Sequence, residues 1–142
     1  MAKQQRQPVV RMPLRVRYHE CDQQGIVFNA HYLAYVDMAS FEFCKVLFGS
    51  HTNLIEQGID MVVAESNLRY LRPCRFEDEL AVALTVDHVG NTSMVLGIRI
   101  ERGDELVVEG SNRYVWVGTA DHRPTVPPER VRTALLSARG DS

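Results

Sequence analysis

A chain of 142 residues, 45% hydrophobic and 24% charged, has the size and balance of one globular domain with one core. Its formal net charge is −2 and Arg6, Arg11, Arg15 and Arg17 are dispersed, so neither nucleic acid nor a membrane surface is an expected partner. Cys21, Cys44 and Cys74 lie far apart, with no CxxC pair and no zinc-like spacing. No metal site is expected, and the thiols read as reduced, in a cytoplasm.

Met1–Pro8 is polar and Gln-rich, without a leader-like pattern, and reads as a frayed tail. Leu14–Tyr18 alternates apolar and charged residues, as a half-exposed strand does. A turn-rich segment, Glu20 to Gly25, leads to Asn29, a good helix N-cap. Tyr32, Val36, Ala39, Phe43 and Val46 then recur at helical spacing. Leu33, Tyr35, Met38, Phe41 and Leu47 cover much of the remaining circumference, which predicts a helix enclosed on most sides. Asp37, Glu42 and Lys45 interrupt Ala30 to Phe48, too many charges for a membrane span. Gly49 ends the helix.

A short turn or helix at Asn53 to Gln57 leads to Gly58, and Ile59 to Val117 reads as strand. Leu80, Val82, Leu84 and Val86 share one face, Met94, Leu96, Ile98 and Ile100 alternate likewise, and Gly90-Asn91 and Arg102-Gly103-Asp104 mark turns. Pro127-Pro128 opens a closing helix that ends near Ser137. The expected organisation is one domain, 12–137, between flexible tails 1–11 and 138–142. A strand, a long helix and four strands joined by tight turns make an α+β fold with an antiparallel sheet curled around the helix. Its edges and uncovered face predict dimerisation.

The segment from Tyr18 to Tyr32 resembles the start of the 4-hydroxybenzoyl-CoA thioesterase family. That pattern is an aspartate, two variable residues, glycine, two aliphatic residues and an aromatic, then a tyrosine inside the helix. Asp22, Gly25, Ile26, Val27, Phe28 and Tyr32 match it. Leu68 to Pro73 and Phe76 to Leu80 are similar to the family's second- and third-strand signatures, so the likeness extends from Leu14 to Val117. It implies a hotdog fold, in which a curved antiparallel sheet wraps one long buried helix. It further implies a homodimer or homotetramer, hydrolysis of acyl-CoA thioesters at clefts between subunits, and no cofactor beyond the coenzyme A of the substrate. By the resemblance, Asp22 is the catalytic carboxylate and the Asn29 backbone amide polarises the thioester carbonyl. Gly25, Val27, Phe28, His31, Tyr32 and Asp37 are the substrate-binding candidates, Asp37 because many relatives are acidic there. The family's aromatic-acid specialists carry basic residues for the nucleotide near Gly90-Asn91-Thr92, and this chain does not; Arg69, Arg72 and Arg75 are the nearest basic cluster.

Thioester hydrolysis needs a nucleophile or base on one side of the carbonyl and a donor for its oxygen. Unpaired N–H groups at a helix N-terminus supply such a donor. Asp22 can attack directly, giving an anhydride, or deprotonate a water; both routes stay open. Thiolate leaves readily, so no strong general acid is required. Plainer readings stand beside these. Asp22 is also a good turn residue, Asn29 a simple cap, His19 and His31 locally bonded histidines, and Phe28 and Tyr32 core. Asp37 and Glu42 are also a helix's polar edge, and the arginines a solvated strand face. Cys21 has no evident activating partner. The competing functions are a hydratase or dehydratase on the same fold, a carrier-protein thioesterase, and a non-catalytic acyl-CoA-binding protein, which would not need Asp22.

Overall fold

The computed structural model describes residues 7–140. Residues 1–6 of the expected N-terminal tail and residues 141–142 of the C-terminal one lie outside the described residues. Five strands form one antiparallel sheet in the order β1-β3-β4-β5-β2. They are β1 Val10–Arg15, β2 Ile59–Tyr70, β3 Glu79–Val89, β4 Ser93–Arg102 and β5 Glu105–Gly118. Strand β1 begins four residues before the expected Leu14, inside the stretch assigned to the tail. Pairing runs from Val10↔Leu84 to Arg15↔Glu79, and Tyr18–Glu20 then coils into one 3-10 turn. The alternation that reads as strand through Tyr18 therefore spans a strand end and a turn. Pro13 sits inside β1 without harm because the strand is an edge, where a missing N–H breaks no inner ladder.

Leu84 pairs with Ile98, Val82 with Ile100 and Val86 with Leu96, all buried. Helix α1, Ala30–Phe48, joins this core through Tyr32, Tyr35, Val36, Ala39 and Phe43, a spacing that lines one side of a helix. At its far end Phe43, Phe48 and Trp116 meet edge to face, with centroids 6.1 and 6.0 Å apart. Such aromatic pairs add about 0.5–1.5 kcal/mol beyond their area. This is the hotdog arrangement the resemblance implied. One expectation is corrected. Helix α1 is not enclosed on most sides within one protomer: Leu33, Met38, Phe41 and Val46 are 41–61% exposed, because the sheet covers only the opposite stripe.

Gly49, at φ 85°, ends α1, and Ser50 caps α2 (His51–Glu56) by accepting the Asn53 N–H at 2.9 Å. Helix α3, Glu129–Arg139, packs Val131 and Leu135 into the core and stops at left-handed Gly140, two residues beyond the expected end. The stretch from Ile59 is not continuous strand either. After Tyr70 the Leu71 and Arg72 amides both donate to the Val107 carbonyl (2.9 and 3.2 Å), the ladder lapses, and residues 71–78 form a connection. A turn within it is held by Arg75 N–H donating to Asp78 Oδ2 at 2.8 Å.

One charged side chain lies in the interior beneath the 3-10 turn. Glu20 is 4% exposed. Its carboxylate accepts the Arg17 backbone N–H (2.8 Å), the Arg17 guanidinium (3.2 and 2.9 Å) and the Tyr35 hydroxyl (2.8 Å). Burial alone would raise its pKa, but these donors outweigh burial and hold it below the ordinary 4.5.

Two predictions follow from the packing. At Leu68↔Gly110 strands β2 and β5 approach so closely that a Cβ on Gly110 would stand 1.8 Å from the Asn67 carbonyl oxygen. Gly110→Ala is expected to cost about 3 kcal/mol or more in chemical denaturation, at the upper end for overpacking. Glu20→Gln keeps the volume but removes the charge that the Arg17 donors and the buried Tyr35 hydroxyl converge on, and is expected to cost about 1–3 kcal/mol at neutral pH. Since the folded carboxyl titrates below 4.5, its contribution is complete above that value and drains away as pH falls through the folded pKa. The gap between variant and wild type should therefore close on acidification. A gap that widened in acid would contradict the assignment.

Candidate active site

Residues 20–28 form a narrow loop joining the 3-10 turn to α1. Its base is closed by the Phe28 N–H donating to the Glu20 carbonyl at 2.9 Å, and Cys21 bridges Val27 antiparallel. Higher up, the Asp22 N–H donates to Ile26 C=O and the Gly25 N–H to Asp22 C=O, each at 2.9 Å. Gly25 takes φ 78°, a region that favours glycine, and this lets the chain reverse. The outgoing limb is also tied to the 71–78 connection: Val27 N–H donates to Cys74 C=O at 2.8 Å, and Ile26 bridges Arg75.

The Asp22 side chain accepts the Gln24 N–H through Oδ1 at 2.8 Å, as a turn-forming aspartate does. Among the described residues, Oδ2 has no hydrogen-bond partner. The turn role and a free carboxylate oxygen thus coexist in one side chain. Asp22 lines an open cleft of about 700 Å³ with Tyr18, Cys21, Gln23, Gly25 and Phe76. Tyr18 and Phe76 meet edge to face at 5.8 Å and remain 79% and 50% exposed, an apolar wall beside the carboxylate. Cys21 Sγ lies 4.0 Å from the Arg17 carbonyl oxygen, and among the described residues no histidine or lysine lines the cleft to activate it.

The expected side-chain cap at Asn29 is absent, and this is a correction. Asn29 is already helical (φ −56°, ψ −31°), its side chain caps nothing, and the Phe28 carbonyl accepts the His31 N–H at 2.9 Å. The backbone N–H groups of Asn29 and Ala30 have no acceptor among the described residues, and both residues are exposed.

The other expected site residues divide by position. Gly25 lines the cleft; Val27 and Tyr32 are buried in the core. Phe28, half exposed, meets the His31 ring at 6.2 Å, and Asp37 is exposed on α1. None of these last five lines the cleft of a single protomer. The Tyr32 hydroxyl lies beside the Cys74 thiol; burial first, then this neighbour, pushes the tyrosine pKa up, so the hydroxyl stays neutral. Arg69 pairs with Glu109 and Arg72 with Glu105, each at 3.0 Å, whereas Arg75 has no ion pair among the described residues. Sequence reasoning missed Glu20, Gln23, Tyr18 and Phe76 as site components. Tyr18 read as strand, and nothing in the spacing brings Phe76 back to it across 58 residues.

Comparisons with known proteins agree with this architecture. The model of the thioesterase superfamily matches residues 24–109, beginning two residues after Asp22. The Escherichia coli acyl-CoA thioester hydrolase YbgC is 27% identical over 122 residues, covering 85% of this chain and 91% of that one. Among solved structures, the protein TT1821 of Thermus thermophilus superposes with a TM-score of 0.84 at 26% identity, over 90% of this chain and 98% of its own. The gentisyl-coenzyme A thioesterase BH1999, at 22% identity, shares the fold with a TM-score of 0.79, over 87% and 98% of the two chains. The chain belongs to the thioesterase superfamily.

Proposed function

We propose that this protein hydrolyses acyl-CoA thioesters to free acid and coenzyme A, with Asp22 as the catalytic carboxylate. The observation that carries this reading is the Asp22 side chain, with one oxygen unengaged, lining the cleft at the end of a loop that feeds α1. The E. coli relative acts on acyl-CoA, which favours coenzyme A over a carrier protein as donor. In this reading the Asn29 and Ala30 amides, at the positive end of α1, receive the charge that develops on the carbonyl oxygen. Asp22 either adds to the carbonyl carbon and expels the thiolate, leaving an anhydride that water then hydrolyses, or takes a proton from a water whose oxygen adds to that carbon as the C–S bond breaks and the thiolate leaves. No cofactor is required for either route. Tyr18 and Phe76 offer an apolar surface beside the reacting centre, and Arg75 a cation for the nucleotide phosphates.

The working unit in this proposal is a homodimer or larger homo-oligomer. Leu33, Met38, Phe41 and Val46 are exposed apolar residues on α1, and β2, an edge strand of 12 residues, has no second partner strand among the described residues, with Val62 and Val63 exposed. A second copy covering them would bring its own side chains over Phe28, His31 and Asp37. We place the protein in the cytoplasm. Its cysteines are free thiols, and burial, with Asp60 nearby, pushes Cys44 up to about 12. Among the described residues, no helix is long and apolar enough to cross a membrane.

Two outcomes test these points. Asp22→Asn should lower kcat for acyl-CoA hydrolysis by about 10²-fold or more while circular dichroism and substrate affinity are retained; wild-type turnover in that variant would reject the assignment. Met38→Glu should convert the oligomer to monomers in sedimentation velocity and reduce turnover with it. A monomeric wild type, or an active monomeric variant, would remove the second copy from the site.

A further inference from the structure

Both limbs of the Asp22 loop end on the same buried pair of tyrosines. The incoming limb is held by Glu20, whose carboxylate accepts the Tyr35 hydroxyl at 2.8 Å. The outgoing limb is held by Val27, whose N–H donates to the Cys74 carbonyl at 2.8 Å. Cys74 in turn stands beside the Tyr32 hydroxyl, close enough for each group to perturb the other. Tyr32 and Tyr35 then meet edge to face, 5.8 Å between centroids, which closes the circuit inside the first turns of α1. Every member of this ring except the loop tip is buried: Glu20, Val27, Tyr32, Tyr35 and Cys74 are each at most 4% exposed.

We infer that Glu20, Tyr35, Tyr32 and Cys74 form a positioning clamp that fixes the Asp22 carboxylate relative to the amino end of α1. The inference rests on the thioesterase reading above, and it assigns these residues a role in rate rather than in substrate contact. None of the four lines the cleft. The physical reason is geometric. Asp22 stands on a loop whose own cross-links are three backbone bonds and one side-chain bond, and a tip so short of packing would otherwise sample many orientations. Tying both limbs to two adjacent turns of one helix makes the loop and the helix tip move as one body. A misplacement of about 1 Å at a reacting group can cost about 10²-fold in rate. The donors around Glu20 keep its carboxylate ionised at neutral pH, and the opposed tyrosine pKa values, both raised chiefly by burial, keep the hydroxyls as donors. Arg17 and Tyr35 are the groups that face Glu20 from the turn and from α1.

The test is a kinetic cycle on the full-length protein with Tyr35→Phe, Asp22→Asn and the double variant, assayed by thiol release from acyl-CoA. Tyr35→Phe keeps the ring contact and removes only the bond to Glu20. The expected result is a fall of about 10-fold or more in kcat, with KM within about twofold of wild type. In the Asp22→Asn background the same substitution should produce no further loss, since the clamp acts only through Asp22. Cys74→Ala, which removes the thiol beside the Tyr32 hydroxyl on the other limb, should repeat the pattern and serves if Tyr35→Phe does not fold. Unchanged kcat in folded Tyr35→Phe and Cys74→Ala would overturn the clamp. So would equal losses with and without Asp22, because that is the signature of general destabilisation. The Asp22→Asn single variant reads the thioesterase assignment separately, so failure of that reading and failure of the clamp give different results.

Discussion

A carboxylate taken out of water must be given donors in return, and at Glu20 they come from two different pieces of the chain. Arg17, just beyond β1, supplies a backbone N–H and its guanidinium; Tyr35, in the second turn of α1, supplies a hydroxyl. Because an unpaired ion in the interior is so costly, neither element can drift without the other. The end of the edge strand, the 3-10 turn and the amino end of the long helix are thereby fixed together. Everything built between them, including the loop carrying Asp22, inherits that registration. The same residue's carbonyl closes the loop by accepting the Phe28 N–H. One position thus anchors through its side chain and its backbone at once.

The second organising fact is that α1 is only half covered. Its inner stripe packs against β3 and its neighbours, whereas Leu33, Met38, Phe41 and Val46 face outward. Four large apolar side chains left in water on an isolated protomer are unfavourable. The proposed second copy resolves this, and it also accounts for expected site residues such as Phe28, His31 and Asp37 standing outside the cleft of one chain. A site completed at a boundary would explain why one protomer shows the carboxylate and the helix tip but only one wall.

Much of the fold is legible in the sequence because it depends on local chemistry. Helical spacing and Gly49 bound α1 to within a residue, and Gly103 with Asp104 marks the β4–β5 hairpin that the register Arg102↔Glu105 confirms. The failures are places where tertiary partners decide. Leu14 to Tyr18 has a strand's alternation, yet β1 ends at Arg15 because its partner β3 begins at Glu79. Residues 71–78 carry apolar and aromatic residues, yet Pro73 and the doubled use of the Val107 carbonyl end the ladder. Asn29 has a cap's chemistry, but the helical turn begins at the Phe28 carbonyl and leaves its side chain unused. At the site, Asp22 and Gly25 are legible because an Asx turn and a left-handed glycine are local signals. Glu20 is not, since an acidic residue near a turn reads as solvated until Tyr35, 15 positions away, is seen to reach it.

These pieces make one chemical proposal: a carboxylate with one oxygen, and a helix end with first amides, that have no hydrogen-bond partner among the described residues, held together by a clamped loop and acting on an activated ester. The most direct measurement is a crystal structure of the protein with a ketone analogue of an acyl-CoA, in which a methylene replaces the sulfur. The account predicts the ketone oxygen about 3 Å from the Asn29 or Ala30 N–H, with an Asp22 oxygen about 3–3.5 Å from the carbonyl carbon or bridged to it by one water. A ketone bound away from the tip of α1, with Asp22 turned to bulk solvent in the assembled protein, would contradict it.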